Sequence, residues 1–194
     1  MTDTSKADDA ATPLTPAERE ELIPTHVALR GELNELEQQN TAKAYGWAFE
    51  RKRNVLDEAF LRGLHRRMFN KVWRWAGEYR KTERNLGVMP HLIQPSLIQA
   101  IDDARHWIEL KSYEPDELAV RFHHKIVRVH PFPNGNGRWS RMAADLLVTA
   151  QGGTGFSWGG ANLQASGDAR KRYIDALHAA DNHNFAPLIA FARS

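Results

Sequence analysis

Apolar residues recur three and four positions apart over most of this chain, a period that admits a helical protein and little else. Leu97, Ile101, Ala104, Trp107 and Ile108 make one such stripe, Leu118, Phe122, Ile126 and Val129 a second, and Met142, Leu146 and Leu147 a third. Upstream, Leu56, Phe60, Leu64, Met68 and Val72 keep the spacing, and Tyr173, Leu177, Leu188 and Phe191 mark the closing helices. Val27, Leu29, Leu33 and Leu36, followed by Tyr45, Trp47 and Phe49, predict a helical region running toward residue 51 with a break near Asn40. Thr15, Pro16 and Glu18 form a capping-box pattern at the start of a short helix before it. Between Trp75 and Pro95 the period is lost, and glycine, proline and β-formers around Leu86 and Gly87 predict a small β-hairpin. There is no internal repeat, linker or alternating strand series, so the fold class is mostly α, a helical bundle with one minor β element.

With 194 residues, 42% of them hydrophobic, the chain suits one domain with a respectable core. That domain is expected over residues 14–194, because residues 1–13 are short on apolar side chains and predicted to be disordered. Twenty-six basic against 24 acidic residues leave a net charge of only +2, which gives bulk attraction to nucleic acid little support. Cysteine is absent, so disulfides and thiolate catalysis are excluded. No apolar run is long enough to span a bilayer and no signal peptide is recognisable, which fits a cytoplasmic location.

Between the second and third stripes stands HPFPNGNGR, residues 130–138. A plain interhelical turn needs one or two glycines and has no use for this mixture. The preceding helix is expected to be capped by Asp116 and to end at Val129, and the next to begin near Asn136. The loop therefore feeds a helix N-terminus, whose free N–H groups, approached closely at Gly135 and Gly137, form a socket for phosphate oxygens. Arg138 and Arg141 lie three apart on one side of the first turn, so both can face the same polyphosphate. His130, at the other end of the loop, is placed to take a proton from a hydroxyl attacking that phosphate.

HPFPNGNGRWSR resembles the signature of Fic-domain proteins of the Fic/Doc superfamily, H-x-F-x-(D/E)-G-N-(G/K)-R-x-x-R, departing from it at one position. GEYRKTERNLGV with PHLI is similar to the family's flap region, and FHHKIVRVHPF to the helix before its motif; within the family the mobile mystery protein B group looks most similar. The resemblance implies a protein adenylyltransferase that moves AMP from ATP, with Mg²⁺, to a Ser, Thr or Tyr hydroxyl of a target protein, self-modification included. It implies His130 as general base, Phe132 as the anchor of the loop, and Gly135, Asn136 and Gly137 as the anion socket, Asn136 by its side chain. It further implies Arg138 at the β-phosphate region and Arg141 at the γ-phosphate.

The departure is Asn134, where the family's carboxylate helps hold Mg²⁺. Asparagine keeps an oxygen ligand and loses a charge, which leaves a weaker metal site, a changed donor or leaving group, or lost activity. Thr82, Glu83, Arg84, Asn85, Leu86, Gly87 and Val88 match the flap, whose edge in the family pairs with a strand of the target; a surface hairpin without a ligand has the same sequence appearance. RGELNELEQQN, within a helix around 26–40, is similar to the family's inhibitory helix and offers Glu37 as the carboxylate that occupies Arg141. Leu33 and Gln38 depart from the inhibitory pattern, Glu32 and Glu35 stand close by, and an exposed helical glutamate is the alternative.

His123, His124 and His130 lack a companion that would complete a compact metal set, so the first two are expected to pack in the core or behind the site. The basic runs at 51–53 and 65–67 read as solvated helix faces, with a nucleic-acid surface as the alternative. Trp73, Trp75 and Trp107 read as core, one of them a candidate for adenine. Two other functions stay open: phosphoryl transfer as in the Doc branch, against which Gly137 speaks because lysine is usual there, and a non-catalytic nucleotide- or protein-binding Fic fold, for which Asn134 speaks. Target, modified side chain, base preference and oligomeric state are not encoded in any motif.

Overall fold

The computed structural model describes residues 16–160, 163 and 167–194. The Thr15 cap, the Glu18 side chain and the stretch 1–13 expected to be disordered lie outside the described residues. Eight helices are described: α1 (Pro16–Glu21), α2 (Arg30–Phe49), α3 (Glu58–Phe69), α4 (Ile93–Glu109), α5 (Pro115–Val129), α6 (Asn136–Ala150), α7 (Asp168–Asp181) and α8 (Ala186–Arg193). Short 3₁₀ turns occupy Pro90–Leu92 and Trp158–Gly160. The chain divides into two compact units, Met1–Arg51 with Arg62–Glu78, and Lys52–Leu61 with Tyr79–Ser194.

In the first unit, α2 begins without a polar N-cap, since Leu29 holds that place. Glu32 compensates by taking the N–H groups of Ala28 and Leu29 on its carboxylate at 3.0 and 3.1 Å. The break expected near Asn40 does not occur, and α2 runs unbroken from Arg30 to Phe49. Asparagine interrupts a helix by competing for local backbone groups. Here its amide is engaged elsewhere, Nδ2 donating to the Arg67 carbonyl and Oδ1 accepting from Lys71 N, each at 2.9 Å. A buried glutamate on the same helix, Glu37, accepts the indole N–H of Trp73 at 2.6 Å, and Trp73 stacks on Trp75 with ring centroids 5.1 Å apart. His65 in the basic run is fully buried and accepts Gly77 N–H through Nδ1 at 3.0 Å, whereas Arg66 and Arg67 are exposed. Arg51 to Arg53 follow α2 in irregular chain rather than forming a helix face.

The second unit is built around α5, which packs against α4, α6 and α8. Its apolar stripe, Leu118, Phe122, Ile126 and Val129, is buried as the spacing predicts. So are Trp139, Met142, Leu146 and Leu147 of α6, and burying a large apolar side chain contributes roughly 1.5–3 kcal/mol. Asp116 does not cap α5. Glu114 is the N-cap residue and Pro115 opens the helix, whose fixed φ suits the first turn. Asp116 instead pairs in bidentate fashion with Arg193 at the end of α8, Nε to Oδ2 at 2.6 Å.

The β-hairpin expected between Trp75 and Pro95 is not formed; no strand occurs among the described residues, and Leu22 and Trp73 form an isolated bridge. Residues 82–88 are irregular, and the cause lies in where their backbone groups bond. Arg80 takes the carbonyls of Thr82 and Val88 on its guanidinium, while the Val88 amide donates to the Val129 carbonyl at 3.3 Å. Groups that would have paired across a hairpin are thereby committed to a side chain and to the end of α5.

Candidate active site

Two left-handed residues turn the chain between α5 and α6. His130 follows the last residue of α5 at φ 51°, ψ 58°, and Gly135 precedes α6 at φ 79°. Glycine adopts that region freely, whereas histidine does so only when its surroundings impose it. The loop between them is held from inside. Phe132 is fully buried, with its ring centroid 5.0 Å from Trp139 and 5.7 Å from Tyr79. Trp139 in turn donates its indole N–H to the Leu61 carbonyl at 2.8 Å.

Asn136 is 2% exposed and its side chain serves the loop: Oδ1 accepts Phe132 N–H at 2.9 Å and Nδ2 donates to the Phe132 carbonyl at 2.8 Å. What Asn136 presents at the helix end is its backbone N–H. The first bond of α6 is Trp139 N–H to the Gly135 carbonyl at 3.0 Å. The N–H groups of Asn136 and Gly137 precede it, so helix geometry gives them no partner within α6. They carry the positive end of the helix dipole, which favours an anion, whereas the Asn136 side chain, expected to line that socket, is spent on Phe132.

Arg141 folds back along the helix over Gly137, where an added Cβ would stand 3.3 Å from its Nη1. Its guanidinium carbon lies 5.5 Å from the Tyr173 ring centroid. Behind it are buried polar groups, of which His123 was expected in the core or behind the site and Asp145 was not singled out by any motif. Tyr173 Oη meets His123 Nε2 at 3.0 Å, and Asp145 accepts Phe156 N–H and the Trp158 indole N–H, both at 3.0 Å. Burial pushes His123 down to about 3, with the Arg141 charge acting the same way, and pushes Asp145 up to about 6 against its hydrogen bonds and the Arg141 charge. His123 is thus neutral and structural. His124 bonds Asp181 through Nε2 at 2.8 Å. Asp145 stands four residues after Arg141 on α6, but nothing in the local spacing joins Tyr173 and His123 to them; those meet only when α5, α6 and α7 are assembled.

The imidazole of His130 is half-buried and held below its ordinary value of 6.5, first by burial and then by the positive charges of Arg80 and Arg84, while a backbone hydrogen bond at Val127 opposes them. A neutral imidazole is the form that accepts a proton. Arg138 and Arg141 are both half-buried on the first turns of α6, and Thr82 to Gly87 are exposed. Glu37 belongs to the first unit, where Trp73 engages its carboxylate; Glu32 and Glu35 are exposed, so burial separates Glu37 from its neighbours.

Asn134 is exposed, and its Oδ1 accepts the Gly135 N–H at 2.7 Å. Among the described residues no group of three or more His, Asp or Glu side chains is placed to hold a metal ion. A neutral carbonyl oxygen with one lone pair already in use does not make a protein-built Mg²⁺ site, which ordinarily rests on one or two carboxylates plus phosphates.

The structure is a helical bundle that places a neutral histidine, the N-terminus of α6 and two arginines along one interhelical loop and the turns that follow it. Residues 55–148 match the Fic/DOC family, and over them the chain belongs to that family. It is 27% identical over 119 residues to protein adenylyltransferase fic-1 of Caenorhabditis elegans, covering 60% of this chain and 22% of that protein. A probable protein adenylyltransferase of Sinorhizobium fredii is 28% identical over 146 residues, covering 71% of this chain and 72% of the relative. The chain thus spans about a fifth of the Caenorhabditis relative and most of the bacterial one. Among solved structures, BepC of Bartonella tribocorum with bound AMPPNP superposes with a TM-score of 0.71 at 21% identity, covering 93% of this chain and 90% of that one. The N-terminal Fic domain of a putative cell filamentation protein of Bartonella quintana, with bound ADP, gives 0.65 at 20% identity over 86% of each chain. The fold is therefore that of Fic domains, mostly helical. No helix among the described residues is long and apolar enough to cross a membrane.

Proposed function

We propose that the chain is a protein adenylyltransferase, transferring AMP from ATP to a hydroxyl of a target protein or of itself. The observation that carries this reading is the pairing of a neutral, half-buried His130 with the open amide end of α6 and Arg141. The hydroxyl oxygen attacks the α-phosphorus and its proton passes to His130. The bond from the α-phosphorus to the bridging oxygen breaks, and pyrophosphate leaves. Backbone N–H groups at Asn136 and Gly137 hold phosphate oxygens, and the guanidinium groups of Arg138 and Arg141 take up the charge of the departing β- and γ-phosphates. Mg²⁺ would enter as part of the nucleotide substrate, bound chiefly by phosphates and water, and the Asn134 amide oxygen would offer it a neutral ligand. The names of the relatives support transfer of AMP, and Gly137 rather than lysine agrees with it.

Residues 82–88, exposed from Thr82 to Gly87 and with Arg80 taking the carbonyls of Thr82 and Val88, are proposed to meet the target by main-chain hydrogen bonds. Glu37 is proposed as the regulator whose carboxylate competes with the γ-phosphate for Arg141. Incubation with ATP labelled at either the α- or the γ-phosphate tests the reaction class. Label on protein from the α-position alone is the expected result. Label from the γ-position identifies phosphoryl transfer, and label from neither, in the presence of candidate targets, overturns the assignment in favour of nucleotide binding without catalysis.

A further inference from the structure

The motif loop and the flap meet at a residue outside both. Arg80 is 3% exposed, and its guanidinium fork donates to three carbonyl oxygens: Nε to His130 at 2.7 Å, Nη1 to Thr82 at 2.9 Å, and Nη2 to Val88. Its own amide donates to the Pro131 carbonyl at 2.9 Å, and the Val88 amide donates to the Val129 carbonyl at 3.3 Å. Gly87 makes the approach between flap and loop that close. It has φ +99°, and an added Cβ would lie 2.6 Å from His130 Cβ, 2.7 Å from Arg80 Nη2 and 2.8 Å from the Val129 oxygen.

We infer that Arg80 is a positioning residue that locks the flap and His130 into one rigid piece, so that a hydroxyl docked on the flap is delivered to the imidazole in a fixed register. The inference rests on the reading of His130 as the base. A planar fork with donors in fixed directions is what three carbonyls at three places on the chain require; an ammonium on a flexible stem cannot satisfy all of them at once. The same contact holds the His130 carbonyl in the left-handed geometry that turns α5 into the loop. Effective positioning matters because displacing a reacting group by about 1 Å can cost a hundredfold in rate. The Arg80 charge also bears on the histidine, together with that of Arg84, both favouring the neutral ring.

The test compares Arg80→Lys, Arg80→Met and Gly87→Ala in the full chain, with His130→Ala beside them. Three quantities are read: labelling from α-labelled ATP as a function of pH, the titration of the His130 imidazole by NMR, and hydrogen exchange of the Val88 amide. Arg80→Lys is expected to lower the transfer rate about 10- to 100-fold, leave nucleotide affinity within about twofold and leave the acid limb in place, since charge is retained. Arg80→Met should lose the rate and also move the acid limb and the imidazole titration to higher pH. All three flap variants should quicken Val88 exchange. Gly87→Ala perturbs the lock from the surface, so it reports even if replacing the buried arginine prevents folding. Folded variants with wild-type transfer rate, His130 titration and Val88 exchange overturn the inference. Transfer by His130→Ala at the wild-type rate would overturn the reading of His130 as base, an outcome separate from the titration and exchange that judge the lock.

Discussion

Asn136 grips Phe132 by both of that residue's backbone groups, accepting its N–H at 2.9 Å and donating to its carbonyl at 2.8 Å. A single amide side chain thus closes the loop between α5 and α6 and leaves the N–H groups at the start of α6 facing outward.

Asn136→Ala removes both partners at a buried position, where each unsatisfied backbone group costs about 1–3 kcal/mol. A loss of about 2–4 kcal/mol in urea unfolding is expected, accompanied by weaker ATP binding measured by calorimetry. Ser140→Ala serves as the local comparison, because the Ser140 hydroxyl donates to the Gly137 carbonyl at 3.1 Å within its own helix turn and does not hold the loop. Equal effects of the two substitutions on ATP binding would remove the special role of Asn136.

The acid dependence of stability has two opposing contributions with assigned residues. His123 is held down to about 3, so between that value and the ordinary 6.5 the unfolded chain binds its proton and the folded chain does not; stability falls as pH is lowered through this window. Asp145 is held up to about 6 against 3.8, so between those values the folded chain binds the extra proton and acidification stabilises. Asp145→Asn should therefore steepen the loss of stability between about pH 6 and pH 4, and His123→Gln should flatten it, both read from urea unfolding across pH. Parallel pH profiles for the two variants would show that neither group carries the assigned shift.

The helices were legible because their stripes are local: each contact that buries Phe122 or Leu146 is announced by neighbours three and four residues away. The motif loop was legible for a related reason, since glycines, histidine and arginines fall within a dozen positions of one another. What could not be read depends on which partner each polar group finds once the chain has folded. Asn40 looks like a helix breaker until Arg67 and Lys71 are seen to satisfy its amide, and Thr82 to Val88 look like a hairpin until Arg80 takes their carbonyls. The Asp116 carboxylate sits two residues too late to cap α5 and finds Arg193 instead. Asn40 and Asp116 found distant partners that no short window contains, while Arg80 is a neighbour whose fork could as well have faced solvent.

Asn134→Asp restores the charge whose absence distinguishes this loop. Under the proposed reaction a carboxylate adds a ligand to the cation that arrives with ATP. The Mg²⁺ concentration giving half-maximal labelling should drop several-fold, with less change at saturating metal. An unaltered Mg²⁺ titration would place residue 134 outside the cation's reach.

Glu37 allows regulation to be separated from simple loosening of α2. Its carboxylate is buried and accepts the Trp73 indole at 2.6 Å, so Glu37→Gly removes a charge, a buried hydrogen bond and helix propensity together. Glu37→Gln removes the charge and keeps an oxygen for the indole. If a charged Glu37 holds the competent state to about 1% of molecules, either substitution raises self-labelling from α-labelled ATP by up to about a hundredfold. Glu32→Gly loses the cap on Ala28 and Leu29, and Glu35→Gly alters an exposed position, so both report the effect of loosening alone. A gain confined to the two Glu37 variants, with Glu37→Gln retaining more stability than Glu37→Gly, is the expected pattern. Equal gains at all three positions would attribute activation to a softer helix, and no gain at Glu37 would reduce its carboxylate to a structural acceptor for Trp73.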